Sequence, residues 1–179
     1  MYAHSLSRPP HQNTGIDVSL PPISEVPLPE PEVIDLVRRS STDVPEGSVR
    51  LATNFYKHLF AMAPELRDMF SADLGAQQQR MADALLMVVQ HLHAPDDVAQ
   101  YLRQLGAQHH RERGVLPEHY PHVGRALVRA VREVPPTWSS SMSSAWVMVY
   151  RWITAHMLIG AQLSASTGAS PRPPSRSAL

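Results

Sequence analysis

Apolar residues recur at helical spacing through the middle of this chain. Between residues 49 and 60, the apolar residues Val49, Ala52, Leu59 and Phe60 fall on one face of a helix. A period of about 3.6 residues indicates amphipathic helices, and almost nothing alternates as a strand would. The pattern predicts an all-α, bundle-like domain over residues 33–163. The expected helices cover 33–39, 49–60, 76–92, 96–110, 118–134 and 141–163, with a short helical turn at 64–70.

Proline is concentrated at the two ends of the chain. Ten of the 17 prolines lie in residues 1–32 and 164–179. Proline lacks a backbone N–H and has a fixed φ, so it cannot sustain a helix or a central strand. Both ends are therefore predicted to be disordered Pro-rich tails. The remaining 33–163 has the usual size of one domain and can bury a core large enough to enclose a cofactor.

Composition removes several classes of protein. Sixteen basic and sixteen acidic side chains cancel, so no basic excess favours nucleic acid or anionic lipid. The absence of cysteine excludes disulfides, thiolate metal sites and cysteine nucleophiles. No secretory leader and no run of 18 apolar residues is present. We expect a cytoplasmic protein with no nucleic-acid partner and no membrane insertion.

Three polar residues lie on apolar helix faces. Tyr56 is four residues from both Ala52 and Phe60, Gln77 heads the stripe that continues through Met81, and Tyr120 shares a face with Val123 and Leu127. Most buried polar groups are satisfied by a nearby backbone or side-chain partner, which is the simplest interpretation of each one alone. Their occurrence together with a central histidine pair favours a binding site instead.

The histidine pair, His109 and His110, lies between two apolar helical stretches. A neutral imidazole that points from a helix into an apolar pocket is a common ligand of haem iron. Adjacent helical residues point about 100° apart, so both cannot serve one iron. His109 is in register with Leu102 and Leu105 on the predicted buried face.

Several separated motifs occur in order along the chain: FYKHLFAMAPELRDMF (55–70), the glutamine of AQQQRM (76–81), HRERGVLPEHYPHVG (110–124) and AWVMVY (145–150). Together they resemble a bacterial globin of the single-domain haemoglobin and flavohaemoglobin haem-domain type. The resemblance covers roughly residues 33–160. It implies a globin fold, with helices packed around haem b (iron protoporphyrin IX).

The resemblance assigns roles to individual residues. Tyr56 and Gln77 resemble the distal tyrosine and glutamine, which stabilise a bound ligand, and Phe70 resembles the phenylalanine that wedges against the porphyrin. Gln78 and Gln79 point away from the apolar stripe and are less suitable. The other residues expected to line the haem are Met81, Leu105, Val115 and Tyr120.

The resemblance leaves the proximal histidine open between two neighbours. The Leu-Gly-x-x-His pattern in LGAQH selects His109, whereas the spacing back from GVLPEHY selects His110. One residue is inserted relative to the family. Insertions are better tolerated in connections than inside packed helices, so the iron ligand is predicted to be His109, with His110 as the alternative.

The resemblance also implies a function. It predicts reversible binding of dioxygen, with nitric oxide and carbon monoxide as further ligands. Nitric oxide dioxygenation would need an external reductase, because no module for FAD or a nicotinamide follows the last helix, so whether the protein is an enzyme stays open. Ala161 stands where these globins often have a glutamate that pairs with the tyrosine matched by Tyr120. Without that carboxylate, the hydrogen bonds that donate electron density to the proximal imidazole are weaker.

An alternative function is a haem-based gas sensor or interaction protein that signals through its tails. Its support is the length and proline content of the two ends. Deleting residues 1–32 distinguishes the two hypotheses, because an oxygen carrier should keep its ligand kinetics and a sensor should lose a partner.

Overall fold

The computed structural model is helical throughout the part of the chain that it describes, which confirms the all-α prediction. The described residues are 26–42, 44, 49–70, 72–135 and 137–168. Most of the two predicted tails therefore lies outside them. The α-helices are α1 (Pro31–Thr42), α2 (Val49–Met62), α3 (Gly75–Gln90), α4 (Pro95–Arg113), α5 (Tyr120–Arg132) and α6 (Ser140–Gly168), and short 3₁₀ helices cover Pro64–Met69 and Pro117–His119.

The helix ends differ from the sequence predictions at three places. The helix α1 begins at Pro31, inside the predicted tail, because proline is well suited to a first helical turn. The helix α6 continues to Gly168, five residues beyond the predicted end. Its last turns receive support from α4, since Nη1 of Arg111 donates to Oγ of Ser164 at 3.3 Å. The helix α4 runs three residues further than expected and ends at Arg113, and Gly114 caps it with a φ of 62°, the left-handed conformation that glycine adopts readily.

One hydrophobic core joins the helices, and within it α3 and α4 pack on different neighbours. The helix α2 packs on α5 and α3, whereas α6 packs on α4, α1 and α5. The largest side chains in the interior include Leu51, Leu59, Leu102 and Trp146, which are all about fully buried. Val49, predicted to share the buried face of α2, is 41% exposed because it is the first residue of the helix. The helices α3 and α4 therefore have different packing partners.

The helices α4 and α6 cross with their backbones in direct contact. A Cβ atom on Gly106 would overlap the backbone of Met157, and one on Gly160 would overlap the backbone of Arg103. Only glycine allows backbones to approach this closely. The crossing lies three residues before His109 and therefore fixes the position of the histidine pair.

A buried hydrogen-bond chain joins α1 to α6. Nε1 of Trp146 donates to Oγ of Ser40 at 2.9 Å, and that hydroxyl donates to the carbonyl of Val37 at 2.8 Å. Ser40 is one of the few buried polar side chains among the described residues. Its hydroxyl satisfies the indole N–H, which would otherwise be buried without a partner.

We expect Ser40→Ala to lower the free energy of unfolding by about 1–3 kcal/mol, because the indole N–H of Trp146 then loses its acceptor. Thr42→Ala is the matched control, since Thr42 lies on the same helix with an exposed side chain. Urea unfolding of the two variants and the wild type provides the measurement. Equal losses in both variants would show that helix propensity, not the buried bond, controls the effect.

In the described part of the chain no helix combines the length and the apolar character needed to cross a membrane.

Candidate functional site

Tyr56 lies at the centre of an aromatic cluster. The tyrosine side chain projects from α2 and is only 4% exposed. Its ring lies 5.0 Å from that of Phe55, 5.7 Å from that of Phe60 and 5.4 Å from that of Phe70, measured between centroids. Phe70, which follows the 3₁₀ helix, meets Tyr56 edge to face at 76°. The structure thus brings together two residues that the resemblance assigned to the haem pocket.

Gln77 joins this cluster from α3. Burial raises the pKa of Tyr56, and a side-chain hydrogen bond with Gln77 opposes that rise. This interaction brings the amide of Gln77 to the phenol of Tyr56, so the predicted distal pair, from α2 and α3, is in contact.

Arg67 holds the segment that contains Phe70. Nη1 of Arg67 donates to the carbonyl of Phe70 and Nη2 donates to that of Ala72, both at 3.2 Å. Its guanidinium also lies over the ring of Phe60, 5.3 Å from the centroid. From the sequence alone Arg67 is interpreted as surface charge, which is the usual role of arginine. The signal that could have indicated more is its place in the motif PELRDMF, three residues before the phenylalanine.

His109 projects from the last turns of α4 and is partly buried. Its Nδ1 atom is buried and makes no full hydrogen bond, although the carbonyl of Leu105, one turn earlier, favours a proton on the ring. Burial, and then the positive charge of Arg113, lower the pKa of His109 below its usual 6.5. The side chain is therefore a neutral imidazole at pH 7.

His110 is engaged by the connection that follows α4. Its Nδ1 donates to the carbonyl of Val115 at 3.3 Å, and the N–H of Val115 donates to the carbonyl of His109 at 3.2 Å. The ring of His110 thus closes the end of the helix. This difference between the two histidines supports His109 as the ligand, and the choice stays a prediction.

The other predicted lining residues occupy several elements. Tyr120 is buried at the start of α5, where burial raises the pKa of its hydroxyl. Its carbonyl accepts a 2.6 Å hydrogen bond from the hydroxyl of Tyr150 on α6. Ala161 is 8% exposed, so the position aligned with the family's glutamate is interior. Met81, Leu105 and Val115 are each partly buried, and their contacts with a cofactor stay predictions.

The residues present fit a haem group. A neutral histidine with a buried, incompletely bonded Nδ1 is an iron ligand of the usual type. Tyr56 on α2 supplies an O–H, and Gln77 on α3 supplies an amide N–H. Aromatic rings of the cluster supply apolar surface for a flat, largely apolar molecule.

His156, on α6, is a second histidine with a buried Nδ1 that lacks a hydrogen-bond partner. Its ring packs edge to face on Trp152, 4.6 Å between centroids. Burial, and then the charge of Arg103 on α4, lower its pKa below 6.5. Below that pH the unfolded chain binds a proton here more readily than the folded chain does, so stability present above pH 6.5 is lost as the pH falls.

We therefore expect the free energy of unfolding of the wild type to decrease between about pH 7.5 and about pH 5.5, and the decrease to be smaller in His156→Gln. Urea titrations of both proteins at the two pH values test this. His93→Gln, which removes an exposed histidine, is the control and should keep the wild-type pH dependence. An unchanged slope in His156→Gln would contradict the expectation.

Comparison with known proteins places these features in a family. The model of the family described as Globin matches residues 53–157. A flavohemoprotein of Bacillus thuringiensis is 31% identical over 122 residues, which are 66% of this chain and 30% of the relative. A flavohemoprotein of Bordetella pertussis is 31% identical over 146 residues, or 79% of this chain and 36% of the relative. The chain thus spans about a third of the length of these relatives.

Solved structures show the same fold. One is the engineered carbene transferase RmaNOD, titled "putative nitric oxide dioxygenase from Rhodothermus marinus". It superposes with a TM-score of 0.65 at 28% identity, covering 78% of this chain and 96% of the other. A bacterial globin from Campylobacter jejuni superposes with a TM-score of 0.63 at 21% identity, covering 78% and 99%. The chain belongs to the globin family, as a bacterial globin of the flavohaemoglobin haem-domain type.

Proposed function

We propose that this globin binds haem b through His109 and binds dioxygen reversibly on the opposite side, next to Tyr56 and Gln77. The observation that supports this most strongly is the contact between the buried Tyr56 and the partly buried Gln77 against the aromatic cluster. Two polar side chains from separate helices meet there beside three phenylalanine rings. Such an arrangement is costly for stability alone and is suited to a small polar ligand.

His109 is prepared to bind iron. Haem, when bound, supplies an iron that one imidazole holds from one side and that leaves the other side open to a diatomic gas. The lowered pKa of His109 keeps its ring neutral at pH 7, so no proton has to be removed before binding. The carbonyl of Leu105, one turn earlier on α4, favours a proton on the ring, and a neutral imidazole with its proton on one nitrogen keeps the other nitrogen free to bind a metal.

Tyr56 supplies a proton donor on the gas side. The phenolic O–H of Tyr56, with the amide of Gln77 beside it, is a group that can donate to dioxygen in the pocket. A hydrogen bond to a partly charged acceptor contributes about 1.5–3 kcal/mol, equivalent to roughly tenfold to more than a hundredfold in affinity. Strong retention and slow release of dioxygen follow from that contribution.

Nitric oxide dioxygenation is the proposed activity of the oxygenated protein. It is supported by the flavohemoprotein relatives and by the name of the Rhodothermus marinus protein. The proposed source of electrons for turnover is an external reductase in the cytoplasm. With Ala161 at the place of the family's glutamate, peroxidase-like cleavage of dioxygen is disfavoured.

Absorption spectra of the purified, haem-loaded protein test the proposal. Ferric, ferrous and carbon monoxide forms should have the bands of a histidine-bound haem. The ferrous protein in air should give a stable oxygenated form that consumes one nitric oxide per haem, and a flavin reductase with reduced nicotinamide should turn this into continuous consumption. Failure to retain haem, or immediate oxidation in air, would reject the function.

A further inference from the structure

Two arginines lie on the helices that carry Gln77 and His109, each on the same helix face as that residue. Arg80 lies on α3, three residues after Gln77, and Arg113 is the last residue of α4, four residues after His109. Residues three or four apart share a helix face. The positive charges of both arginines act on Tyr56, and that of Arg113 also acts on His109. Arg113 is therefore close to the predicted distal and proximal sides together.

Neither guanidinium has a partner within the described ranges. The ion pairs recorded there are Arg38 with Asp35 and His58 with Glu133. The carboxylates near the two arginines bond to other groups: Asp83 accepts from Gln79 and Glu112 accepts from Gln108, both at 2.9 Å. The side chains of Arg80 and Arg113 are both exposed. The edge of the candidate site thus has two positive charges without a carboxylate bonded to either.

A ligand that enters between α3 and α4 should supply the missing negative charge. Haem b has two propionate carboxylates on one edge of the ring, and charged groups of this kind stay at the solvent-exposed edge of an apolar pocket. Arginine presents a planar fork of N–H donors that matches a carboxylate with two parallel hydrogen bonds. The positions of Arg80 and Arg113 suit one carboxylate each.

We propose that Arg80 and Arg113 bind the two haem propionates, one from α3 and one from α4, and so hold the ring in one orientation between Tyr56 and His109. This inference rests on the proposed function, since it requires haem in the site. It assigns a role to two residues that would otherwise be ordinary surface charge. Because the arginines lie on different helices, the haem carboxylates also tie α3 to α4.

The rate of haem loss tests the proposal. Wild type, Arg80→Ala, Arg113→Ala and the double variant are loaded with haem b or with its dimethyl ester, which has no carboxylate. Each sample is mixed with excess haem-free myoglobin, and the transfer of the porphyrin is followed by absorbance. Arg111→Ala is the matched control, because Arg111 has the same charge on the same helix and contacts Ser164 of α6 instead.

With haem b, each single variant should lose the cofactor about threefold to tenfold faster than the wild type, which is the range between an exposed ion pair and a charge-assisted hydrogen bond. The double variant should be faster than either. With the dimethyl ester, all four proteins should release the porphyrin at one rate. Arg111→Ala should match the wild type with both porphyrins, and Arg113→Lys should lie between Arg113→Ala and the wild type.

Two outcomes would overturn the proposal. Equal acceleration with haem b and with the ester would mean that the arginines act through packing or through the end of α4. No acceleration with either would mean that they do not bind the carboxylates. Both outcomes leave the proposed function intact, provided that the wild type retains haem b with a histidine-bound spectrum. A wild type that retains no haem would reject the function and this inference together.

Discussion

Replacing His109 by alanine is expected to abolish stable haem retention, or at least the spectrum of a histidine-bound ferrous carbon monoxide form. The same replacement at His110 should leave that spectrum unchanged. Only one of two adjacent helical residues can face a porphyrin. His109 has the buried Nδ1 and the lowered pKa, whereas the ring of His110 donates to the carbonyl of Val115.

Addition of free imidazole separates loss of the ligand from loss of the fold. If His109→Ala folds, imidazole should restore a nitrogen-bound spectrum, because the cavity left by the side chain can accept the same ring. His110→Ala should need no rescue. The opposite pattern would identify His110 as the ligand and would place the inserted residue before it, inside α4, instead of in the connection after it.

Tyr56→Phe is expected to raise the rate of dioxygen release by tenfold or more. The estimate assumes that about 1.5 kcal/mol is lost with one charge-assisted hydrogen bond. The phenyl ring preserves the contacts with Phe55, Phe60 and Phe70 and removes only the hydroxyl. Carbon monoxide is a much poorer acceptor, so its release rate should change far less.

Stopped-flow measurement of dioxygen and carbon monoxide release from the ferrous variants separates a lost hydrogen bond from a steric change. Equal effects on dioxygen and carbon monoxide would indicate a steric change, and no effect on either would mean that Tyr56 is only a core residue. Gln77→Leu should act in the same direction but more weakly, since the flexible amide loses more rotamer entropy in forming a bond. Its amide interacts with the phenol of Tyr56, so part of the effect of the substitution should arise from a change in the position of Tyr56.

The sequence was sufficient for the fold class and for the inward position of Tyr56. Helical periodicity predicted the order of the long helices, and the spacing of Tyr56 from Ala52 and Phe60 indicated that its side chain faces inward. The roles of Tyr56 and Gln77 as a distal pair stay predictions. Period and burial are local properties of a helix, so they can be recognised from one segment at a time. The family motifs gave the same residues, and the comparisons confirmed the family.

Contacts between helices could not be predicted in this way. Three contacts join segments whose relation depends on the complete packing. They are the hydrogen bond from Arg111 to α6, the backbone crossing at Gly106 and Gly160, and the hydrogen bond from Arg67 to the carbonyl of Phe70. Arginine and glycine have no characteristic period in a sequence. Their roles appear only when the neighbouring backbone is in place.

By itself, then, the sequence determined that this chain is an all-α globin and which faces of its helices turn inward, because the hydrophobic effect acts on each amphipathic helix through its own pattern of side chains. Only the tertiary structure decided how the two histidines differ and which charges surround the site. His109 and His110 are the same residue type in the sequence. The structure distinguishes them, because burial lowers the pKa of His109 whereas the ring of His110 donates to the carbonyl of Val115. The unpaired charges of Arg80 and Arg113 likewise become visible only when α3 and α4 are brought to one site, since electrostatic interactions depend on distance in space and not along the chain.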